Sequence, residues 1–272
     1  MFEPWVYKVL ACLGTLALAY ACLQTGWSWV RRLGLWLVFG TVALAVWFTT
    51  ESWVLTLVGL LGWFALPLAQ AIYLSRRLRF SLSRRLVKER LELEEFEDWG
   101  ELTQELREAD FTMEGEYGLK PSPIEYGFRL FEHREKNWVA GLALVRQGGV
   151  AISYVLVMTR AQDGQLWMTW DYPLSYGLKL PPHVQLYRCL EAYSMRELLE
   201  QHKAFLNLNE VVEASERVTA QEALDAMFGD TMKYNLNIGL LRSSKESGEE
   251  IHYSWRGTWF IACQVLRDMV RG

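Results

Sequence analysis

Charge is scarce in the first 75 residues of this 272-residue chain and abundant in the rest. With 51% hydrophobic residues, the chain is too apolar to be disordered. With 22% charged residues, it is too polar to lie wholly inside a membrane. We therefore expect a membrane anchor joined to one soluble domain of ordinary size. The charged residues of the first segment are Glu3, Lys8, Arg31, Arg32 and Glu51.

Cysteine and histidine are also scarce, with four of each in the chain. The cysteines have no zinc-ligand spacing and nothing implies disulfides, which fits a reducing cytosol. The chain contains no GxGxxG, Walker, HExxH, GxSxG or paired CxxC pattern. We therefore expect no metal and no cofactor. These absences weaken the interpretation as an enzyme without excluding it.

Two residues remain as candidates for catalysis, His202 and Cys189. A nucleophilic cysteine needs a base nearby, and His202 is a base that folding can bring to Cys189. No local signature supports this pair. His202 lies on the apolar face of a predicted helix, so the competing interpretation is a core histidine held by hydrogen bonds. We favour the core histidine.

Three uncharged stretches of 22, 18 and 24 residues follow Lys8, Arg32 and Glu51. Each is long enough to cross a hydrocarbon core about 30 Å thick at about 1.5 Å per helical residue. Buried helices of a soluble core are the alternative, but three consecutive stretches of spanning length rarely occur there. The sequence predicts a three-helix transmembrane anchor in residues 1–75.

Basic residues flank the anchor on one side. Arg31 and Arg32 lie between the first and second helices, and further arginines follow the third. In a three-span protein these two regions share a side, and the positive-inside rule makes that side cytoplasmic. We expect an inner-membrane protein with its N-terminus and the Glu51 loop outside and its soluble domain in the cytoplasm. Lys8 is the one charge that opposes this orientation.

Residues 76–118 are predicted to form a helical linker whose charge changes sign. Residues 76–90 carry a net charge of +6, and residues 91–116 carry −10. Anionic headgroups would attract the first block and repel the second, which would space the domain from the bilayer. The alternative is that the basic block only sets topology. Nucleic-acid binding is not expected, because opposite charge follows directly. The residues expected to contact the membrane surface are Arg76, Arg77, Arg79, Arg84, Arg85, Lys88 and Arg90.

Residues 119–272 are predicted to form an α+β domain. Tight turns, including Gly148-Gly149 and a type I′ turn at Asp163-Gly164, make the strands an antiparallel meander. The central strands are apolar on both faces, so helices or a second subunit must cover the sheet on two sides. The predicted strands span residues 125–133, 138–146, 150–160 and 165–171.

Helices are predicted after two capping boxes, which begin at Ser194 and Thr219. Residues 230–240 fit both a helix and a strand, and we favour a helix that ends near Gly239. A hairpin then pairs Leu240–Arg242 with residues 251–255. The chain ends in an amphipathic helix that packs on the sheet or lies on the membrane.

Several short segments carry a resemblance to other proteins. They are Asp163-Gly164 with Thr169, Pro181-Pro182, Ser194 through Leu198-Leu199 to His202, Gly239-Leu240-Leu241 and Tyr253-Ser254-Trp255-Arg256-Gly257. Over residues 110–260 the chain resembles an uncharacterised family of bacterial membrane-anchored proteins. That family has no assigned activity, so the resemblance implies a shared fold and no reaction. It adds weight to Thr169 and His202.

The sequence thus favours a non-enzymatic cytoplasmic interaction or sensory domain tethered to the inner membrane. Its expected partners are anionic lipid headgroups, together with a second copy of the chain or another subunit of a membrane complex. The alternatives are a membrane-tethered enzyme, such as a hydrolase using His202 and Cys189, and an accessory subunit of a larger membrane complex.

Overall fold

The computed structural model describes residues 3–25, 28–91, 98–147, 150–190, 192, 194–244 and 250–271. The chain divides into two compact units. One comprises Met1–Ser75 and Thr258–Gly272, and the other comprises Arg76–Gly257. The sequence-based division differs at the C-terminus, because it assigns the last helix wholly to the soluble domain. The Gly148-Gly149 turn and residues 92–97 of the acidic block lie outside the described residues.

The first unit contains three long apolar helices, α1 (Pro4–Leu23), α2 (Ser28–Thr50) and α3 (Trp53–Arg77). Each contains a segment of mean hydropathy 1.8 that is long enough to cross a membrane. The three predicted helices are therefore present. Large apolar side chains cover their surface, with Leu66 74% exposed and Leu61 68% exposed.

Close contacts hold α1 against α2. At Gly34 of α2, an added Cβ would lie 3.0 Å from the carbonyl oxygen of Ala19 and 3.0 Å from Cβ of Cys22. The absence of a side chain at Gly34 therefore lets the two backbones approach, as small residues do between membrane helices. The Thr41 hydroxyl also donates a hydrogen bond to the Thr15 hydroxyl, at 3.0 Å.

The second unit contains two β-sheets and the remaining helices. The strands are β1 (Arg79–Ser81), β2 (Arg85–Lys88), β3 (Phe111–Lys120), β4 (Glu125–His133), β5 (Trp138–Gln147), β6 (Val150–Arg160), β7 (Leu166–Trp170), β8 (Val184–Arg188), β9 (Leu241–Ser243) and β10 (Glu250–Tyr253). The helices are α4 (Asp98–Glu108), α5 (Met195–Leu208), α6 (Ala220–Asn237) and the start of α7 (Trp255–Arg271).

The larger sheet has seven strands in the order β2-β3-β4-β5-β6-β7-β8. Every neighbouring pair is antiparallel except β7 and β8, which are parallel. The predicted meander is confirmed as β4 to β7, with each strand within a residue of its predicted bounds. The smaller sheet has the order β1-β10-β9, so the predicted hairpin of β9 and β10 is also confirmed.

Helices of the same chain cover both faces of the larger sheet. On β5, Val139 and Ala143 point to the face that packs against α6, in a cluster with Leu224. Leu142 and Leu144 point to the opposite face, where α4 and α5 pack. The apolar residues that alternate along β5 therefore predict that both faces of the larger sheet are covered.

The helical linker predicted for residues 76–118 differs from the observed structure. Beyond the end of α3 at Arg77, its described residues form β1, β2, most of β3 and one helix, α4. In β2, Leu86 is paired with Leu119 of β3, and both side chains are buried in the core. Burial of this pair attaches the basic segment to the edge of the sheet, and a helix would break that pairing.

The turn between β6 and β7 also differs from the prediction. A type I′ turn needs positive φ at both central residues. Gly164 has φ +84°, but among the described residues positive φ outside glycine occurs at Glu51, Asp110 and Glu210 and not at Asp163. The Asp163 carboxylate instead accepts a hydrogen bond from the Gln165 backbone N–H, at 3.0 Å.

The ambiguous residues 230–240 are helical. Helix α6 begins with a complete capping box between Thr219 and Glu222 and ends at Asn237. Gly239 then takes φ +75°, a left-handed conformation that suits glycine and stops the helix. At the other predicted box, the Ser194 side chain accepts a hydrogen bond from the Glu197 backbone N–H, at 3.2 Å.

Candidate functional site

His202 lies at the centre of a buried polar cluster. Helix α5 presents it to the sheet, and the residue has no solvent exposure. Its Nε2 is 2.9 Å from the Thr159 hydroxyl on β6, and its Nδ1 is 2.8 Å from the Thr169 hydroxyl on β7. The Trp138 ring meets the imidazole edge-on, with 5.1 Å between ring centroids. The cluster therefore ties α5 to two neighbouring strands.

The cluster holds the imidazole neutral. Burial lowers the pKa of His202 from 6.5 to about 3, because a charged ring would lose its hydration. A neutral imidazole has one donor nitrogen and one acceptor nitrogen, so one threonine hydroxyl accepts and the other donates. Both nitrogens are thereby used within the core. This arrangement is typical of a core histidine held by hydrogen bonds.

Cys189 is the other residue that the sequence marks for catalysis. It follows β8, is buried, and its backbone N–H donates to the Trp170 carbonyl oxygen at 2.8 Å. A base for this thiol would need a ring nitrogen of His202, and the two threonines occupy both. The geometry therefore does not support the predicted pair of nucleophile and base.

The seven basic residues expected at the membrane surface divide into two environments. Arg84 is buried, with 9% of its surface exposed, and its Nε is a buried atom. The expectation that Arg84 lies on an exposed basic surface with the other six residues therefore does not fit its burial. The exposed members are Arg76, Arg77, Arg79, Arg85, Lys88 and Arg90.

Aromatic rings surround Arg84, which lies between β1 and β2, where the chain passes from the smaller sheet to the larger. Its guanidinium carbon is 5.7 Å from the Phe80 ring centroid and 5.6 Å from that of Phe228. These distances suit cation–π attraction. Among the residues that the structure describes, no carboxylate pairs with Arg84 and its Nε has no hydrogen-bond partner.

A small cavity adjoins the Arg84 side chain. Its volume is about 20 Å³. The indole Nε1 of Trp170 is buried beside it and has no hydrogen-bond partner among the described residues. Three tyrosines, Tyr126, Tyr154 and Tyr176, line the cavity. Burial raises the pKa of each hydroxyl, so the hydroxyls stay protonated. The aromatic residues of the wall are Tyr126, Tyr154, Trp170, Tyr176 and Phe228.

Comparison of the chain with family models, curated proteins and solved structures finds no match. The resemblance to a family of membrane-anchored proteins therefore gains no support from these comparisons.

Other depressions on the second unit include two that are lined by ionisable residues. One, of about 110 Å³, lies between α6 and the sheet and has His183 and Asp230 at its rim, 3.4 Å apart. The other, of about 410 Å³, is lined by acidic residues that include Asp171, whose pKa is raised by burial. The described residues contain no group of three or more histidine, cysteine, aspartate or glutamate side chains placed to hold a metal.

Proposed function

We propose that the protein is a non-enzymatic interaction or sensory domain, held at the cytoplasmic face of a bacterial inner membrane by three transmembrane helices. The observation that carries the proposal is the set of six exposed basic side chains in the last turn of the third apolar helix and directly after it. Each basic residue close to an anionic leaflet contributes about 1 kcal/mol of attraction. The anionic headgroups of the inner leaflet are then a partner of this segment.

The shape of β2 supports this role for the basic segment. Leu86 points into the core, while its neighbours Arg85 and Val87 are exposed, as alternation along a strand requires. Strand β2 is also an edge of the larger sheet. Exposed charges on an edge strand discourage pairing with other chains, which leaves the edge open to a polar surface.

Lys8 is the one basic residue on the outward side of the anchor in the proposed orientation. Its ammonium lies 3.0 Å from the Glu51 carboxylate, but the positive-inside rule counts basic residues and gives acidic ones little weight. The orientation therefore rests on the larger number of basic residues between α1 and α2 and at the end of α3 and beyond, which favours a cytoplasmic domain.

The His202 cluster supports a role without catalysis. The one histidine that the sequence marks as a candidate base is buried, and the buried threonines occupy both of its nitrogens. An enzyme using His202 and Cys189 would have to open the core between α5 and the sheet. The geometry gives no reason to prefer that alternative.

The lipid partner can be tested by native mass spectrometry of the full-length protein extracted in mild detergent with mixed anionic and neutral lipids. We expect anionic lipid to be retained in preference. Combined Arg85→Gln, Lys88→Gln and Arg90→Gln should weaken that preference clearly, because three of the six basic residues are lost. The matched control removes three exposed charges elsewhere, with Arg196→Gln, Lys203→Gln and Lys233→Gln, and should keep it. Equal retention of both lipid classes by the unaltered protein would contradict the proposal.

A further inference from the structure

Arg84 carries a positive charge that no carboxylate among the described residues neutralises. The residue is 9% exposed, and its Nε is buried without a hydrogen-bond partner in the described part of the chain. Burial of an unpaired charge is strongly unfavourable, which is why buried arginines are normally paired. The cation–π contacts with Phe80 and Phe228 offset only part of that cost. A bound anion would therefore balance the charge of Arg84.

The surrounding tyrosines cannot supply that negative charge. Burial raises the pKa of Tyr126, Tyr154 and Tyr176, although the Arg84 charge opposes this rise at Tyr126 and Tyr176. Their hydroxyls are therefore protonated at neutral pH. A protonated hydroxyl can donate a hydrogen bond to an anion but cannot neutralise a guanidinium.

Two N–H donors beside the cavity have no partner in the described part of the chain. They are Nε of Arg84 and the indole Nε1 of Trp170, a residue that is only 3% exposed. Native proteins rarely leave such buried donors unsatisfied, and a bound ion or water is a normal partner for them. Both side chains line the same cavity. An occupant of that cavity would therefore lie beside both side chains.

The size of the cavity restricts the occupant. The cavity measures about 20 Å³, and roughly 10–15 Å³ of such space holds one water-sized particle. A tetrahedral oxyanion such as sulfate or phosphate is larger than this space. A water molecule would fit and accept hydrogen bonds, but it would leave the charge of Arg84 unbalanced.

We propose that this cavity binds one small monovalent anion of the size of chloride, held by Arg84 and the Trp170 indole and enclosed by tyrosine rings. Aromatic ring edges carry partial positive charge and add to the attraction. The bound anion would join the short β1–β2 connection to the larger sheet. This inference goes beyond the proposed function and does not depend on lipid or on membrane orientation.

Chloride binding can be measured directly on the full-length protein in detergent by ³⁵Cl NMR line broadening. Sodium gluconate keeps the ionic strength constant as chloride is varied. We expect excess linewidth that saturates with chloride, that bromide removes by competition and that sulfate does not remove. Absence of excess linewidth, or equal competition by sulfate and bromide, would overturn the proposal. The first result would mean that water fills the cavity.

Variants then assign the site to Arg84. Arg84→Met should abolish the saturable broadening, while Arg85→Met, which removes the neighbouring exposed charge, should leave it unchanged. Trp170→Phe keeps an aromatic ring without the indole donor and should weaken chloride binding at least tenfold. Circular dichroism is measured on each variant, because Arg84→Met can fail to fold. If Arg84→Met is unfolded, chloride binding by Trp170→Phe tests the site. Unchanged binding in folded Arg84→Met or in Trp170→Phe would place the anion elsewhere.

Discussion

Thr169 and His202 are joined by a buried hydrogen bond of 2.8 Å between the threonine hydroxyl and the imidazole Nδ1. Thr159 completes the cluster from the neighbouring strand, 2.9 Å from Nε2. The three side chains form a closed polar network inside an apolar core, with at most 1% of any of them exposed. A network of this kind stabilises the fold only while every member keeps its partner.

Replacement of the imidazole tests this network. His202→Leu leaves two buried hydroxyls without a partner, and each unsatisfied group costs about 1–3 kcal/mol. We expect the variant to lose about 2–6 kcal/mol of unfolding free energy in chemical denaturation. The triple variant Thr159→Val, Thr169→Val and His202→Leu removes all three polar groups and should recover much of the loss. A triple variant that is less stable than the single one would contradict a network of mutual satisfaction.

Stability should fall as the solution is acidified, because His202 titrates differently in the two states. In the folded protein its pKa is about 3, against 6.5 for an ordinary histidine. Below pH 6.5 the unfolded chain takes up a proton that the folded protein refuses, so the stabilisation is present above 6.5 and is lost towards pH 3. The expected slope approaches about 1.4 kcal/mol per pH unit. Denaturation curves of the triple variant should lack this contribution, and an unchanged slope would refute it.

Gly257 is required by a close approach of two backbones. A Cβ at this position would overlap the carbonyl oxygen of Leu240. We expect Gly257→Ala to destabilise the protein by about 1–3 kcal/mol through overpacking. Gly229 is the matched control, because it lies inside α6 with nothing within 4 Å of an added Cβ. Gly229→Ala should raise stability by about 0.5–1 kcal/mol in thermal denaturation. Equal effects of the two changes would mean that the contact at Leu240 carries no weight.

The ion pair between Lys8 and Glu51 should contribute little to stability. Their side chains are 37% and 76% exposed, and exposed pairs contribute about 1 kcal/mol or less. A double-mutant cycle of Lys8→Met and Glu51→Gln in detergent should therefore give a coupling below about 1 kcal/mol. A larger coupling would indicate that the pair is held in a less polar environment than its exposure suggests.

The sequence predicts the parts of the fold whose side chains repeat along one element. The meander is readable because β5 and β6 are long and alternate between two apolar faces. Strand β3 is not predicted, because Glu114 and Glu116 are counted with the acidic block of residues 91–116 and are not read as part of a strand. One of them, Glu116, forms a salt bridge with Arg129 at 2.7 Å, which only pairing with β4 creates.

Prediction of the sites from sequence is limited because their residues come from elements that lie far apart in the chain. The apolar stripe on α5 predicts that His202 is buried, but no local pattern predicts that Thr159 and Thr169 satisfy it. The net positive charge of residues 76–90, taken alone, predicts that Arg84 lies at the membrane surface. Its burial depends on aromatic residues from β1, β4, β6, β7 and α6, which lie far apart in the sequence. Only the fold brings them together.

Labelling of single cysteines in intact cells measures the membrane topology. The four native cysteines are replaced by alanine, and Glu3→Cys or Lys233→Cys is introduced, since both positions are exposed. A membrane-impermeant maleimide should label Glu3→Cys in intact bacterial cells and Lys233→Cys only after the inner membrane is permeabilised. Labelling of Lys233→Cys in intact cells, with Glu3→Cys protected, would contradict a cytoplasmic domain.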